Sequence, residues 1–472
     1  MKEFLTAANP YMPLWEYVPD GEPHIFWYKG EKRVFVYGSH DTNIERFCGT
    51  DYVAWSAPLD DLTNWTYHGV IYQTADGSDL WAPDVCEKNG KYYLYSAEDW
   101  GKKIYVSKSD SPAGPFTDPE LTELGFDPGI LVDDDGKVYA FWGSYEAYIA
   151  ELEDDMKTIK PGTKKRAEGS CFYSYGEDPV NGFFEASSPR KIMGKYVYIF
   201  SKRTHTPHPE IGLQDPEEGN NSFISYAYSD NVYGPYIFGG DISFNRGETV
   251  TGRDGLLHTS YCDTNNHGSL AKVNGQWYIF YHKFNDETPY SRQAMLEPCD
   301  IALGKDGKLY IGDITYLDGE PVSAKPVEMT SQGPYINGID ARLIISAGFT
   351  CHLYGGSKQA RTRRTTETGD RVSALVGEIT DGTSVGFKYL QFGTKTPESV
   401  TVKLDALTDC DITVRVGHYR GKEIAKIHAE KGPSILTAPL TAPVIGKEAV
   451  YFIFNGEDGK DLAMFDWFTF DN

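Results

Sequence analysis

The stretch DGKVYAFWG at residues 135–143 joins a glycine turn to an aromatic-rich strand, and four more stretches share its design. They are EKRVFVYGS (31–39), NGKYYLYSA (89–97), MGKYVYIFS (193–201) and NGQWYIFYH (274–282), each a glycine-centred or charged turn followed by a strand. Recurrence of one supersecondary unit is the sequence signature of a β-propeller, with one blade per copy. The five copies predict an all-β fold that begins with a five-bladed β-propeller.

A polar residue precedes each repeated strand by a short interval. These residues are Asp20, Asp84, Asp127, Glu185 and His267. Because the blades of a propeller surround a central axis, we expect all five side chains to point toward that axis.

The chain changes character near residue 337. Short alternating strands follow, such as SVTVKLDAL (399–407) and AVYFIFNG (449–456), with turn signals about every ten residues. This pattern is typical of a β-sandwich. We therefore predict a propeller domain at residues 1–328 and a jelly-roll-like sandwich domain at residues 329–472.

The overall charge excludes several classes of partner. The 45 Lys and Arg residues against 68 Asp and Glu residues give a net charge of −23, which disfavours binding to nucleic acid or anionic lipid. No apolar stretch is long enough to span a membrane. Seven scattered cysteines without a CxxC pair, and an N-terminus without the apolar segment of a secretory signal, favour a reduced, cytoplasmic location.

Three of the five polar positions are candidates for acid–base chemistry. Glu185 follows two phenylalanines, and apolar neighbours raise the pKa of a carboxyl toward the range that a general acid needs. Asp127 precedes a proline where the chain enters a strand. Asp20 and Glu22 are two residues apart and face one side of an extended segment, so either is a candidate base. Taken alone, Glu185 is equally readable as an ordinary strand-edge residue.

The fourth repeat carries a long polar insertion, RTHTPHPEIGLQDPEEGNNS, at residues 203–222. Loops of this length are often rim or lid elements. His205 and His208 within it are candidate ligands, although solvated loop histidines are the more common case.

Taken together, these phrases resemble family 43 glycoside hydrolases, inverting enzymes on a five-bladed propeller. The resemblance rests on Pro19-Asp20, Trp81-Ala82-Pro83-Asp84, Asp127-Pro128 with Trp142-Gly143, Glu185, and His267-Gly268, in the family's order over residues 8–320. It implies that Asp20 is the general base, that Asp127 raises the pKa of the acid and orients it, and that Glu185 is the general acid. Asp20 is followed by Gly21-Glu22-Pro23 rather than directly by proline, which leaves Glu22 as an alternative base.

The resemblance also implies further site residues. His267 matches a position that faces a central cation, usually Ca²⁺, with a buried hydrogen-bonded histidine as the alternative. Arg292 matches an arginine that faces the substrate. Trp81 and Trp142 are candidate walls of a sugar pocket, with core packing as the alternative for Trp142. His40 and Asp41, after the first repeated strand, either contact a sugar hydroxyl or cap the turn.

The implied function is an exo-acting, inverting glycosidase that releases terminal α-L-arabinofuranose or β-D-xylose from small oligosaccharides of hemicellulose. An endo-arabinanase or galactan-active enzyme and a non-catalytic sugar-binding propeller are the alternatives. The C-terminal segment resembles a family 6 carbohydrate-binding module through its strand pattern and the ending MFDWFTFDN. It either binds sugar, with Tyr354 and Tyr419 as the obvious aromatics, or only supports the propeller.

Overall fold

The computed structural model describes residues 2–42, 45–173, 182–204, 207, 209–213, 220–252, 254–263, 265–285, 288, 290–364 and 374–472. In these ranges the chain forms 35 β-strands and two short 3-10 helices, Pro209–Ile211 and Ala347–Phe349. No helix there has the length and apolar character needed to cross a membrane. His205 and His208 lie outside the described residues.

Five antiparallel sheets follow one another along the chain and form the five blades of a propeller. Blade 1 contains β1 (Glu22–Tyr28), β2 (Glu31–Tyr37), β3 (Asp51–Pro58) and β4 (Thr66–Gln73). Blade 2 contains β5 (Trp81–Lys88), β6 (Lys91–Glu98), β7 (Lys103–Ser109) and β8 (Thr117–Leu121). Blade 3 contains β9 (Gly129–Val132), β10 (Val138–Ser144), β11 (Glu146–Leu152) and β12 (Lys165–Arg166).

The last two blades are separated by a short hairpin. Blade 4 contains β13 (Gly182–Ile192), β14 (Lys195–Thr204), β15 (Asn220–Ser229) and β16 (Ile237–Phe244). The hairpin consists of β17 (Thr249–Thr251) and β18 (Leu257–Thr259). Blade 5 contains β19 (Ser269–Val273), β20 (Gln276–Phe284), β21 (Arg292–Leu303), β22 (Leu309–Leu317) and β23 (Glu320–Lys325).

The repeated phrase forms the second strand of every blade: β2, β6, β10, β14 and β20. Alternation along these strands places side chains on both faces, and each face packs against a neighbouring blade. Phe35 and Tyr37 of β2 share an apolar cluster with blade 2, whereas Val34 and Val36 share one with blade 5. Blades 1 and 5 also meet at a parallel bridge between residues 21 and 268, which closes the ring.

The remaining strands form two six-stranded sheets of a β-sandwich. One sheet has the order β24-β29-β34-β31-β32 with β26 beside β29, and the other has the order β27-β28-β35-β30-β33 with β25 beside β35. Their bounds are β24 (Ile339–Asp340), β25 (Ile345–Ser346), β26 (His352–Tyr354), β27 (Arg361–Arg364), β28 (Ala374–Ile379), β29 (Ser384–Gln391), β30 (Ser399–Ala406), β31 (Cys410–Val416), β32 (Lys422–Ala429), β33 (Gly432–Pro439), β34 (Lys447–Gly456) and β35 (Ala463–Asp471).

The sandwich packs against the propeller through both apolar and charged contacts. One apolar cluster runs from blades 4 and 5 into the sandwich. Glu248, next to β17, is bound by His352 at 2.8 Å and by Lys388 at 2.8 Å, both from the sandwich. Tyr419 is buried, and its hydroxyl donates to the Thr251 carbonyl of the hairpin at 2.8 Å. These contacts join the sandwich to the propeller. The division at residues 328 and 329 stays a prediction.

All seven cysteines are buried with free thiols.

Candidate active site

Asp20 is buried just before β1 and is held from several sides. Its oxygens accept hydrogen bonds from Ser39 and, at 3.0 Å, from Arg292. Its backbone N–H donates to Nδ1 of His282 at 3.2 Å. Burial alone would raise the pKa of Asp20, but the charge of Arg292, with contributions from His282 and His267 and the Ser39 hydrogen bond, lowers it to about 2. Asp20 is therefore a carboxylate over the ordinary pH range.

Arg292 begins β21 and connects two carboxylates. Its Nε and Nη2 bind both oxygens of Asp41 at 2.9 Å, while Nη1 binds Asp20. Asp41 also accepts the backbone N–H groups of Arg292 and Cys48, each at 3.1 Å. The bidentate pair fixes the guanidinium in the orientation that reaches Asp20. In this structure Asp41 orients Arg292, and Arg292 stabilises the charge of Asp20.

Asp127 is buried where the chain enters β9. Its Oδ2 accepts the backbone N–H of Ala186 at 3.1 Å, the residue directly after Glu185. Burial, followed by the negative charges of Glu185 and Asp20, raises the pKa of Asp127 well above its usual value. Two residues on, a Cβ at Gly129 would lie 2.1 Å from the Ser187 carbonyl. Only glycine lets blades 3 and 4 approach closely enough for this pairing.

Glu185 lies within β13 opposite Ser201 and is partly exposed to solvent. Burial of its carboxyl and the negative charge of Asp20 raise its pKa to about 7, although Arg292 and Arg203 act in the opposite direction. Two phenylalanines directly precede Glu185 in β13. Phe183 is buried in the core, and the ring of Phe184 lies 5.0 Å from the Arg203 guanidinium. Glu185 therefore carries a proton near neutral pH, as a proton donor requires.

His267 lies between two of these carboxyl groups. Its Nδ1 is 3.8 Å from Asp20 and 3.8 Å from Asp127. Burial lowers its pKa, so the ring is neutral at ordinary pH. After it, a Cβ at Gly268 would lie 1.8 Å from the Phe280 carbonyl, so the backbone of blade 5 requires glycine there. The structure thus brings Asp20, Asp127, Glu185 and His267 together.

A second cluster, which we call the Glu22 cluster, contains Glu22, His24 and Asp84. Their ligand atoms lie within 4.8 Å of one another. His24 is 2.7 Å from Asp84, and Arg190 is 2.8 Å from Oε2 of Glu22. The other Glu22 oxygen, Oε1, is buried and has no hydrogen-bond partner among the described residues. The cluster offers buried oxygen donors of the type that Ca²⁺ prefers, but Arg190 already neutralises one of them.

His40 is engaged by two acidic neighbours. Nδ1 is 2.7 Å from Asp51 and Nε2 is 3.1 Å from Glu16. Burial would lower the pKa of His40, but the hydrogen bonds and charges of these carboxylates raise it to about 9. These contacts hold the His40 ring from both sides, whereas the sequence predicted that it contacts a sugar hydroxyl or caps the turn.

The two candidate tryptophans lie in different environments. Trp142 is 4% exposed in the core shared by blades 2 and 3, with its ring stacked on Tyr148. This is the core-packing alternative for Trp142. Trp81, at the start of β5, is partly exposed, and its ring contacts Phe47 and Phe126 at centroid distances of 6.2 and 6.1 Å.

Sequence reasoning did not single out Phe47, Phe126 or Trp100. Trp100 is 62% exposed, and its ring lies 5.5 Å from that of Trp81. The Phe47 ring lies 4.9 Å from the Arg292 guanidinium. In a chain with 66 aromatic residues, no local signal distinguishes these three from core aromatics.

Comparison with known proteins places this geometry in context. A family model described as "Glycosyl hydrolases family 43" matches residues 28–308, more than half of the chain, and includes Asp127, Glu185 and His267 but not Asp20. A xylosidase/arabinosidase from Thermoclostridium stercorarium is 30% identical, and the match covers 97% of this chain and 98% of that protein. Xylosidase/arabinosidase 43A from Humicola insolens is 27% identical over 62% of this chain and 96% of its own length.

Two solved structures are also similar. A family 43 arabinoxylan arabinofuranohydrolase from Bacillus subtilis, in complex with cellotetraose, is 21% identical with a TM-score of 0.47, covering 100% of this chain and 99% of that one. A β-xylosidase/α-arabinofuranosidase from a compost microbial metagenome, in a calcium-free form with xylotriose, is 26% identical with a TM-score of 0.47, covering 62% and 94%.

Proposed function

The chain belongs to glycosyl hydrolase family 43, and from this premise we propose that it releases terminal pentoses, α-L-arabinofuranose or β-D-xylose, from hemicellulose oligosaccharides with inversion of configuration. The proposal rests on the large difference between the pKa values of two carboxyl groups in one site. Asp20 is held ionised by Arg292, whereas Glu185 is held protonated near neutral pH. Such a difference supports Asp20 as the base and Glu185 as the acid.

In the proposed reaction, Glu185 donates its proton to the glycosidic oxygen as the bond to the anomeric carbon breaks. Asp20 accepts a proton from a water molecule, whose oxygen bonds to the opposite face of that carbon. Inverting enzymes keep the two carboxyl groups about 6.5–9.5 Å apart so that the water fits between them. Asp127 orients the segment of Glu185 through the Ala186 N–H, and because the two carboxyl groups interact, ionisation of one opposes ionisation of the other.

We propose Asp20 rather than Glu22 as the base. Glu22, like Asp20, is buried and bound by an arginine and a serine, in its case Arg190 and Ser188, but it lies in the Glu22 cluster. Asp20 is instead adjacent to His267 and raises the pKa of Glu185 by its charge. The supporting contacts therefore favour Asp20 as the carboxylate of the acid–base pair.

The substrate and stereochemistry are tested together. Aryl α-L-arabinofuranoside and aryl β-D-xyloside are incubated separately with the enzyme, and the first-formed anomer is followed by proton NMR. We expect release of at least one pentose with inversion. Retention of configuration, or no release from either substrate, would refute the proposal.

Glu185→Gln and Asp20→Asn separate the roles of acid and base. Removing the acid should lower kcat/KM by about 10²–10⁴ on an oligosaccharide. The loss should be much smaller on a nitrophenyl glycoside, because that leaving group departs without a proton. Removing the base should impair both substrates to a similar degree. Glu430→Gln, an exposed change in the sandwich, is the control. Equal losses on both substrates for Glu185→Gln would exclude the acid role.

We also propose that one Ca²⁺ binds at the propeller axis and faces His267. The buried Glu22 Oε1, which has no hydrogen-bond partner in the part of the chain that the structure describes, is a further candidate oxygen. A cation there would favour the ionised carboxylates that face it. Metal analysis of the purified enzyme should find about one calcium per chain. Removal by EDTA should lower Tm, and Ca²⁺ should restore it. A metal-free enzyme whose Tm does not respond to either treatment would contradict this assignment.

A further inference from the structure

Trp100 has an unusual combination of exposure and backbone conformation. It lies in the turn between β6 and β7 with 62% of its surface exposed. Three successive residues, Asp99, Trp100 and Gly101, have φ values of 50, 60 and 67°. Left-handed conformations are costly for non-glycine residues and concentrate at functional sites. A large ring held in solvent by such a turn is not explained by core packing.

The turn is anchored so that the ring keeps its place. A Cβ at Gly101 would lie 2.4 Å from the Phe126 ring, so the backbone is pressed against that aromatic side chain. Lys103 and Asp99 form an ion pair of 3.3 Å across the same turn. Trp100 is therefore presented by a packed turn.

A continuous row of rings leads from the proposed base to Trp100. Arg292, which binds Asp20, lies 4.9 Å from the Phe47 ring. Phe47 contacts Trp81 at 6.2 Å, and Trp81 contacts Trp100 at 5.5 Å. We call Phe47, Trp81 and Trp100 the aromatic shelf. It begins beside the carboxylates and ends in solvent.

We propose that the aromatic shelf binds the leaving-group side of the substrate, with Trp100 stacking on a sugar beyond the one bonded to the released pentose. The inference rests on the proposed function. Trp81 also contacts Phe126, the residue before Asp127, so the row passes beside the carboxyl that interacts with Glu185, the acid at the leaving group, and from there it extends into solvent. The apolar face of a sugar ring suits a flat indole, and an aromatic anchor carries much of the energy of a small binding site. Trp100 thereby selects oligosaccharides over small glycosides.

Trp100→Ala tests the shelf by comparing two substrates. One is an oligosaccharide with at least three sugars, and the other is the methyl glycoside of the same pentose, which does not reach Trp100. We expect the ratio of their kcat/KM values to fall about tenfold, mainly through KM for the oligosaccharide. Trp100→Phe should recover most of the ratio because it keeps an aromatic face.

Trp27→Ala is the matched control. Trp27 is 61% exposed, but it lies at the end of β1 remote from Asp20, so the same truncation should leave the ratio unchanged. A second measurement uses Glu185→Gln as a background for calorimetric titration with the oligosaccharide. Adding Trp100→Ala should raise Kd about tenfold.

The outcomes distinguish the shelf from the function on which it rests. A wild-type enzyme that cleaves neither substrate refutes the proposed function. An active enzyme in which Trp100→Ala leaves both the ratio and Kd unchanged, or lowers kcat/KM equally on both substrates, overturns the shelf alone. Circular dichroism and Tm of Trp100→Ala exclude misfolding as the cause of a loss.

Discussion

The protonation of Glu185 sets the pH range of the enzyme at the scale of single residues. Because the acid must be protonated, kcat/KM should fall as pH rises through the Glu185 pKa of about 7. Asp20, the base, has a pKa of about 2, so the loss of activity that its protonation would cause lies at a pH where most proteins are already unfolded by acid. We expect a pH profile with one basic limb near pH 7 and a plateau on the acid side. The charge of Glu185 raises the pKa of Asp127, so the two carboxyl groups oppose each other's ionisation, and Asp127→Asn should move the basic limb to lower pH.

The raised pKa of Glu185 should also make the stability of the fold depend on pH. A pKa raised from 4.5 to about 7 in the folded protein favours folding below pH 4.5, and this contribution is lost as pH rises through 7. Glu185→Gln should therefore raise Tm relative to wild type at pH 8 and change it little at pH 5. A lower Tm at pH 8 would show that the Glu185 carboxyl is not under electrostatic strain.

At the scale of elements, the contact between β9 and β13 positions the carboxyl groups. Gly129 lies against the Ser187 carbonyl, where a Cβ would approach to 2.1 Å. Gly129→Ala should push blades 3 and 4 apart, destabilise the fold by about 1–3 kcal/mol and lower kcat more than KM, because Asp127 moves away from Glu185. Gly377→Ala is the control, since its nearest neighbour is a flexible arginine side chain at 3.4 Å. Calorimetry and steady-state kinetics measure both effects, and wild-type kcat in Gly129→Ala would contradict this role.

At the scale of the whole molecule, Glu248 connects the propeller to the sandwich. Burial would raise its pKa, but His352 and Lys388 of the sandwich lower it to about 2. Glu248→Gln leaves Lys388 with one charged partner fewer and should cost about 3 kcal/mol at pH 7. Because the lowered pKa stabilises the fold above pH 4.5 and is lost as pH falls through 2, the Tm difference from wild type should shrink in acid. Glu430→Gln, fully outside this junction, should show no difference at either pH.

The repeat can be read from the amino-acid sequence alone, and it predicts much of the fold and of the site. Five aromatic strands with turn signals form a local pattern, so they can be recognised without tertiary information. Each candidate site residue precedes one of these strands at an equivalent place: Asp20, Asp127, Glu185 and His267. The structure adds that the repeated phrase is the second strand of each blade rather than the strand nearest these residues. The bounds of the two predicted domains remain a prediction.

Which side chains are accessible to a substrate depends on the folded chain. His40, Asp41 and Trp142 have partners that lie in other strands or other blades, and burial and pairing are properties of the folded chain. The separation of the Asp20 and Glu185 pKa values has the same origin, because Arg292 is 272 residues from Asp20 in the sequence. Trp100 becomes a candidate binding residue because the fold exposes it beside Trp81. A local sequence pattern predicts strands and turns, whereas charge and access depend on contacts between distant residues.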